Sequence, residues 1–428
     1  MKLLQNRLVL SGLVLLAFGF GFFKAMHHPS PALFQVIPSQ KSQHQAAYFH
    51  SSFASSRFHV QTHAASLVEL KDGRIRAFWF SGSREGAPDV EIHSAVYDPV
   101  RRQWGTEQKV VDRVTTERSL LRYVRKLGNP VVARAADGTL RLFYVTVSLG
   151  GWAGSSITTM SSGDEGATWS APCRLVTSPF LNISTLVKGT PFLYADGTLG
   201  LPVYHEFISK FGELLRLDKG GAIIDKQRLV PGGWGALQPV VLAQNEHDAR
   251  VLMRHAGRGP RRVVSVTTQD AGMHWSAPQI SALQNPDSAL SAVMLPDGRM
   301  LAVLNDVEQG RDALSLMISA DTGLTWEKVY QLEDQRGAKL DQADYLKTVA
   351  GLLRSSDMNI SAGQMQEYLA SVEQQACAGQ RCRFEFSYPY LIRARNGDYH
   401  LAYTWNRAFI KHITFNQAWL DKQVEEAR

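Results

Sequence analysis

The pattern of apolar and polar positions divides the chain into three unequal parts. Leu8 to Phe23 reads LVLSGLVLLAFGFGFF, an uncharged run preceded by Lys2 and Arg7 and followed by Lys24. A run of this kind at an N-terminus is a signal peptide or signal anchor and not part of a fold. It is short against the roughly 20 residues that a spanning helix needs. FKAMHHPSP, which follows, lacks a small-x-small cleavage pattern. An uncleaved anchor over residues 1–26 is the favoured expectation, with the basic side cytoplasmic. Residues 27–45 carry Pro29, Pro31 and Pro38 among Ser and Gln, and read as a tether.

From residue 46 onward the pattern changes to short β-rich runs broken by tight turns. Asp72-Gly73, Asp137-Gly138, Asp196-Gly197, Asp297-Gly298 and Asn396-Gly397 are hairpin signals, and a degenerate turn lies near Asp248. A second signal interleaves with the first. Ser162-Gly-Asp164-Glu-Gly166-Ala-Thr168-Trp169 and Ser319-Ala-Asp321-Thr-Gly323-Leu-Thr325-Trp326 share S-x-D-x-G-x-T-W, and Thr268 to Trp275 differs little. Degenerate copies begin at Asp98 and Asp218. A period of roughly fifty residues with four strands per repeat is a propeller blade. Six turns predict an all-β, six-bladed β-propeller over residues 46–428. The box Asp ties its own turn, and the boxes carry no chemistry.

Residues 327–383 show neither signal. Tyr345, Leu346, Val349 and Leu353 fall at helical spacing, as do Met365, Tyr368, Leu369 and Val372, and Ser361 with Gln364 fits a capping box. The stretch reads as a helical insertion between blades 5 and 6, with a cryptic seventh blade as the alternative. Blade 6 then has three evident strands, and the segment from Ala47 to Val60 is expected to supply its outer strand and close the ring.

Composition is globular, with 44% hydrophobic residues. The formal charge is +7, from 46 Lys+Arg against 39 Asp+Glu, yet there is no basic tract or nucleic-acid motif. Nucleic-acid partners are therefore not expected. Three Cys exclude a disulfide scaffold. Export predicts a bond between Cys377 and Cys382 in CAGQRC, and Cys173, after a box Trp, is expected to be a buried thiol. The thirteen His show no metal-binding spacing, so neither a metal nor another cofactor is expected.

Asp boxes in a six-bladed propeller resemble the sialidase (neuraminidase) superfamily, in its BNR-repeat-like branch. Ala77–Asp98 (AFWFSGSREGAPDVEIHSAVYD) and Phe386–Phe415 (FSYPYLIRARNGDYHLAYTWNRAFIKHITF) carry the resemblance beyond the boxes. It implies a site at the axis, where the innermost strands converge. His63, Asn129, Lys188, Gln238, Ser288 and Tyr388 are the polar candidates on those strands. The family grips a substrate carboxylate with three Arg and uses a Tyr nucleophile, a Glu that activates it and an Asp acid/base. By this resemblance Arg254 and Arg311 match two of the arginines, Tyr388 the nucleophile and Asp89 the acid/base. His63 stands where the first Arg is expected, and Gln238 where the Glu is expected. Gln cannot take a proton from a phenol. Arg84, Glu85, His205 and Glu206 are further candidates, Glu206 as a catalytic acid and the others as substrate contacts.

These residues support three functions. The first is a sialidase-like glycoside hydrolase acting on an acidic oligosaccharide or polysaccharide outside the cytoplasm. The second is a lyase on a uronic-acid glycan, with His63, His205 and Tyr388 as base and acid. The third is an inactive glycan-binding propeller. The expected location is the periplasm or extracellular space, held to the inner membrane by the N-terminal segment, or secreted if that segment is cleaved.

Overall fold

The computed structural model describes residues 2–26, 32–36, 46–178, 182–356, 358 and 360–427. The chain divides into two units, Met1–Ala32 and Leu33–Arg428. In the first, Lys2–Met26 form one helix. Among the described residues, no helix is long and apolar enough to cross a membrane. The expected anchor is therefore not shown. Of the expected tether, residues 27–31 and 37–45 lie outside the described residues. Leu33 to Gln35 are not a free linker: the Phe34 N–H donates to the Glu246 carbonyl, and Phe34 bridges to Tyr194.

The second unit is a six-bladed β-propeller. Each blade is an antiparallel meander, with its first strand at the axis and later strands stepping outward. Blade 1 runs through Gln61–Glu69, Ile75–Gly82 and Glu91–Asp98, and blade 2 through Lys126–Arg134, Leu140–Val147 and Ser155–Ser162. Blade 3 splits its inner strand into Leu186–Val187 and Phe192–Leu193, then continues through Leu199–His205, Phe211–Leu217 and Ile223–Arg228. Blade 4 is Ala236–Ala243, Ala249–His255, Arg262–Thr268 and Gln279–Gln284. Blade 5 is Ser291–Met294, Met300–Leu304, Ala313–Ser319 and Glu327–Asp334. Blade 6 is Phe386–Arg393, Tyr399–Trp405 and Phe409–Phe415, and Phe49–Phe53 pairs antiparallel with the last of these as its outer strand. The segment before blade 1 thus closes the ring and covers an otherwise open edge.

The boxes are structural, for a reason visible in their bonds. Asp164 accepts from the Thr168 N–H and hydroxyl, at 2.9 and 2.6 Å, and from the Ser162 hydroxyl. Asp270 and Asp321 repeat the arrangement, with His274 in the place of the Thr in the former. Hydrogen bonds from Thr168, His274 and Thr325 hold the three carboxyls down to about 2. Each turn also leans on the preceding blade. A Cβ at Gly166 would meet the Arg76 guanidinium at 3.2 Å, Arg141 donates to the carbonyl of Gly220, and Arg250 donates to that of Thr322. Trp169 meets Phe78 of blade 1 edge-on at 5.7 Å.

Helices Gln342–Arg354 and Ala362–Ala376 lie between blades 5 and 6, followed by a hairpin of Cys377–Ala378 with Arg381–Cys382. The insertion starts later than position 327, because Glu327–Asp334 is the outer strand of blade 5. Its pattern was hidden because one of its two buried residues is Glu333, which accepts from Lys411 and from the Tyr403 hydroxyl at 2.6 Å each. Ser361 and Gln364 form the capping box, and Cys377 and Cys382 are disulfide-bonded. Cys173 is exposed, not buried: it sits on the two-residue outermost strand of blade 2, where nothing packs over it.

Candidate functional site

The innermost strands do not run straight. Ala64, Asn129, Gln238 and Tyr388 have φ of 54°, 44°, 55° and 54°. Each lies at a break in the pairing register with the next strand. A bulge with a left-handed residue re-aims the side chains around it. Such strain in non-glycine residues collects at functional sites. Blade 3 reaches the same turn with Gly189, at φ 111°.

The groups these bulges and their flanking loops bring together are mostly charged. Arg254 donates through Nε to Asp287 at 2.6 Å and through Nη1 to the Gln238 amide oxygen at 3.4 Å. Arg311 donates to Glu385 at 3.3 Å and to the Asp287 carbonyl, and its guanidinium lies 5.8 Å from the centre of the Tyr388 ring. Arg407 donates through Nε to Glu385 at 2.6 Å and reaches Glu85 at 3.5 Å. Glu385 is buried and also accepts from the Ser387 hydroxyl at 2.8 Å. Burial pushes its carboxyl up, but His63, Arg407 and Arg311 outweigh this and hold it down to about 2. Both Arg254 and Arg407 are electrostatically coupled to Tyr388.

His63 packs edge-on against Tyr388, with ring centroids 4.5 Å apart. Its two ring nitrogens are buried without a partner. Burial lowers its pKa to about 4, against the opposing pull of Glu85 and Glu385, so the imidazole is neutral at neutral pH. Gln238 links two of its neighbours: besides accepting from Arg254, its amide N–H donates to the Tyr204 hydroxyl at 3.3 Å. Asn129 donates to the same hydroxyl at 3.2 Å. Glu206 follows the second strand of blade 3, and its backbone N–H is held by the Ser184 hydroxyl. Burial raises its carboxyl, Arg254 and Lys210 pull it down, and the charges of Asp287 and Glu85 add to the rise. A carboxyl whose proton affinity is raised by burial, with other carboxylates nearby, is the arrangement that suits a proton donor.

Three sequence candidates stand elsewhere. His205 pairs with Glu213, which Lys226 also reaches at 3.0 Å, and stacks on Phe211. The alternation of the strand turns it away from its neighbour Glu206 and into blade 3. Asp89 spends both oxygens on Ser83, accepting from its N–H and hydroxyl at 2.9 Å, and so ties the loop 83–89. Arg84 is exposed in that loop. Glu85, between them, does reach the site through Arg407. Sequence reasoning missed Arg407, Glu385, Asp287 and Tyr204. Glu385 directly precedes the inner strand FSYPYLI, and a charge at that junction was the available signal. Arg407 gave none, since the turn at Asn406 and Arg407 has positive φ without a glycine.

The family described as a BNR repeat-like domain matches residues 73–401. The chain belongs to that family. No curated protein matches this BNR repeat-like chain. Among solved structures it is similar to a Hadza microbial sialidase, at 16% identity and a TM-score of 0.59, over 83% of this chain and 65% of that one. The chain thus spans just under two thirds of that sialidase. It is similar to a protein of unknown function from Dyadobacter fermentans, at 13% identity and a TM-score of 0.61, over 89% and 100% of the two chains. It is also similar to the alpha-L-arabinanase of Penicillium chrysogenum, at 14% identity and a TM-score of 0.55, over 88% and 99%. At these identities the likeness is one of fold: the BNR repeat-like propeller has a glycoside hydrolase-like architecture.

Proposed function

We propose that the chain is a sialidase-like glycoside hydrolase acting on an acidic glycan outside the cytoplasm. One observation carries this reading: the Arg311 guanidinium lies 5.8 Å from the centre of the Tyr388 ring, and Arg254 and Arg407 are near enough to interact electrostatically with the same phenol. Arg407 supplies the third charge that the chain lacks at position 63. Charge-assisted hydrogen bonds from such a set suit a carboxylate. A neutral phenol suits attack at the carbon beside an anion, where a carboxylate nucleophile would be repelled. In this reading Tyr388 attacks the anomeric carbon and Glu206 protonates the departing oxygen. His63, neutral and in contact with Tyr388, takes the phenol proton in place of the missing Glu. Water, giving a proton to Glu206, then attacks the anomeric carbon and breaks its bond to Tyr388, and His63 returns its proton to the phenolate. The basic flank of the N-terminal apolar helix and the Cys377–Cys382 bond both support export.

The His63–Tyr388 contact equally favours a second reading, β-elimination beside a uronic acid. The test is turnover of a fluorogenic sialoside and of polygalacturonate by the full chain. Sialoside hydrolysis that Tyr388→Phe abolishes, and that Arg254→Met weakens through KM, supports the hydrolase. An unsaturated product absorbing in the ultraviolet from polygalacturonate replaces it with the lyase. Binding without turnover of either leaves a glycan-binding propeller. Gln238→Glu, which restores the expected carboxylate, should raise hydrolysis.

A further inference from the structure

A cleft of about 510 Å³ adjoins the site on the side of the helical insertion. Its inner wall is Gln61, Glu385, Asn406 and Arg407, and its outer wall includes Arg381 and Arg383. That size lies within the range of small-ligand pockets. The outer wall is anchored rather than loose. The disulfide closes the hairpin, the Cys382 N–H donates to the Leu340 carbonyl at 2.8 Å, and the Arg383 N–H donates to that of Ala376 at 3.1 Å.

The hydrogen-bonding inventory of this cleft is unbalanced. Arg311 and Arg407 are each paired with Glu385. Among the described residues, neither Arg381 nor Arg383 has an acidic partner. The Asn406 side-chain amide nitrogen is buried without a partner, and so is that of Gln375, which also lines the cleft. A buried donor left unpaired costs free energy unless a ligand or water answers it. Two amide donors and two guanidiniums without acids call for an oxygen-rich, negatively charged occupant. The cleft shares Arg407 and Glu385 with the site, so that occupant is continuous with whatever Tyr388 faces.

Resting on the hydrolase reading for its orientation, we propose that this cleft is a subsite for the neighbouring residue of the glycan. It holds a second acidic sugar, so the preferred substrate is an oligosaccharide with repeating negative charge. A glycan with a neutral residue in that place can offer hydroxyl oxygens to these donors but no countercharge to the two guanidiniums.

The experiment is calorimetric binding to the full chain. The probes are sialic acid and its α2,8-linked trimer, and galacturonic acid and its trimer. At least one trimer should bind about tenfold or more tightly than its monosaccharide, as one added charged hydrogen bond allows. R381M/R383M should erase that advantage and leave monosaccharide affinity unchanged. Gln375→Leu, folded by thermal melt, should reduce it. An advantage confined to the galacturonate series and removed by R381M/R383M upholds the subsite while overturning the sialidase reading. No trimer advantage in either series, or one that survives R381M/R383M, overturns the proposal.

Discussion

Lys188 offers a test in which the sign of the effect is unusual. It lies just after the inner strand of blade 3 and is 2% exposed. Its ammonium donates to the Ala65 carbonyl at 3.3 Å and sits 5.1 Å from the Tyr390 ring and 5.7 Å from the Tyr388 ring. Among the described residues no carboxylate forms an ion pair with it. Burial alone lowers its pKa from 10.5 to about 7. At about 1.4 kcal/mol per pH unit, the gap is worth roughly 5 kcal/mol against folding at pH 7. Lys188→Met keeps most of the bulk and removes the charge. It also strands the Ala65 carbonyl, at about 1–3 kcal/mol. The variant should therefore be more stable than the parent at pH 7, by about 2–4 kcal/mol. For a propeller of this length that is a rise of about 2–5 °C in melting temperature. Because the folded value lies below the unfolded one, the unfolded chain binds more protons between pH 7 and pH 10.5. Parent stability therefore rises with pH across that window, and the advantage of the variant must shrink toward pH 10.5. Calorimetric melts near pH 7 and pH 9.5 measure both effects. A variant that is less stable at pH 7, or a difference that ignores pH, would refute the argument. The same substitution should slow any step that builds negative charge on Tyr388.

Deleting residues 46–60 removes the Phe49–Phe53 strand and the Phe53 ring from its contacts with Trp405 and Phe409, and should lower the melting temperature of the whole propeller. A truncation that melts like the parent would show that the ring closes without it. His400 and His412 are buried in contact at 3.1 Å, and burial lowers the first to about 3 and the second well below 6.5. The unfolded chain takes up these protons first, so stability should fall as pH drops below 6.5, by about 2–3 kcal/mol for each His at pH 4.5; urea titrations at pH 7 and 4.5 measure it, and a parent as stable at pH 4.5 as at pH 7 contradicts the buried neutral pair. Arg407→Met leaves Glu385 buried with less compensation, and should weaken binding of an acidic sugar and destabilise the fold by about 3–5 kcal/mol. Adding His63→Arg, which places a guanidinium at the neighbouring position coupled to Glu385, should recover part of both, and a double variant no better than the single one rules out the exchange.

The fold was legible because its signals are local. An Asp-Gly turn or an Asp box reports the conformation of a few residues, and the chain repeats them at a steady period. The capping box at Ser361 and the helical spacing around Tyr345 and Tyr368 are local in the same way. The site was legible where a residue lies on an innermost strand, as His63, Gln238 and Tyr388 do, or where the family resemblance matched it, as with Arg254 and Arg311. What sequence could not give was the partner across blades. Asp89 and Glu206 are both carboxylates at strand ends, and only the fold shows that one is spent on Ser83 while the other lies among Arg254, Asp287 and Glu85. Arg407 escaped notice because its turn lacks a glycine. Cys173 was misjudged because the outermost strand of blade 2 is too short to be covered.

The strained backbone and the site share a cause. A straight inner strand would point alternate residues along a narrow axis, where charge is costly and side chains crowd one another. A bulge at a left-handed residue interrupts that alternation, at an order of 1–3 kcal/mol per non-glycine residue. Asn129, Gln238 and Tyr388 all sit at such bulges, each followed by a proline that restricts the backbone further. Asn129 and Gln238 meet on the Tyr204 hydroxyl, and Gln238 passes the contact to Arg254, which is coupled to Tyr388. The strain is thereby concentrated in the residues that hold the phenol and one guanidinium in place. Blade 3 makes the same turn with Gly189, where a Cβ would lie 2.2 Å from the Pro239 carbonyl oxygen. With no side chain at its kink, that blade reaches the site from its second strand instead, through Tyr204 and Glu206. The asymmetry among the six blades is therefore a property of the site: repetition builds the ring, and departures from repetition at the axis place the chemistry.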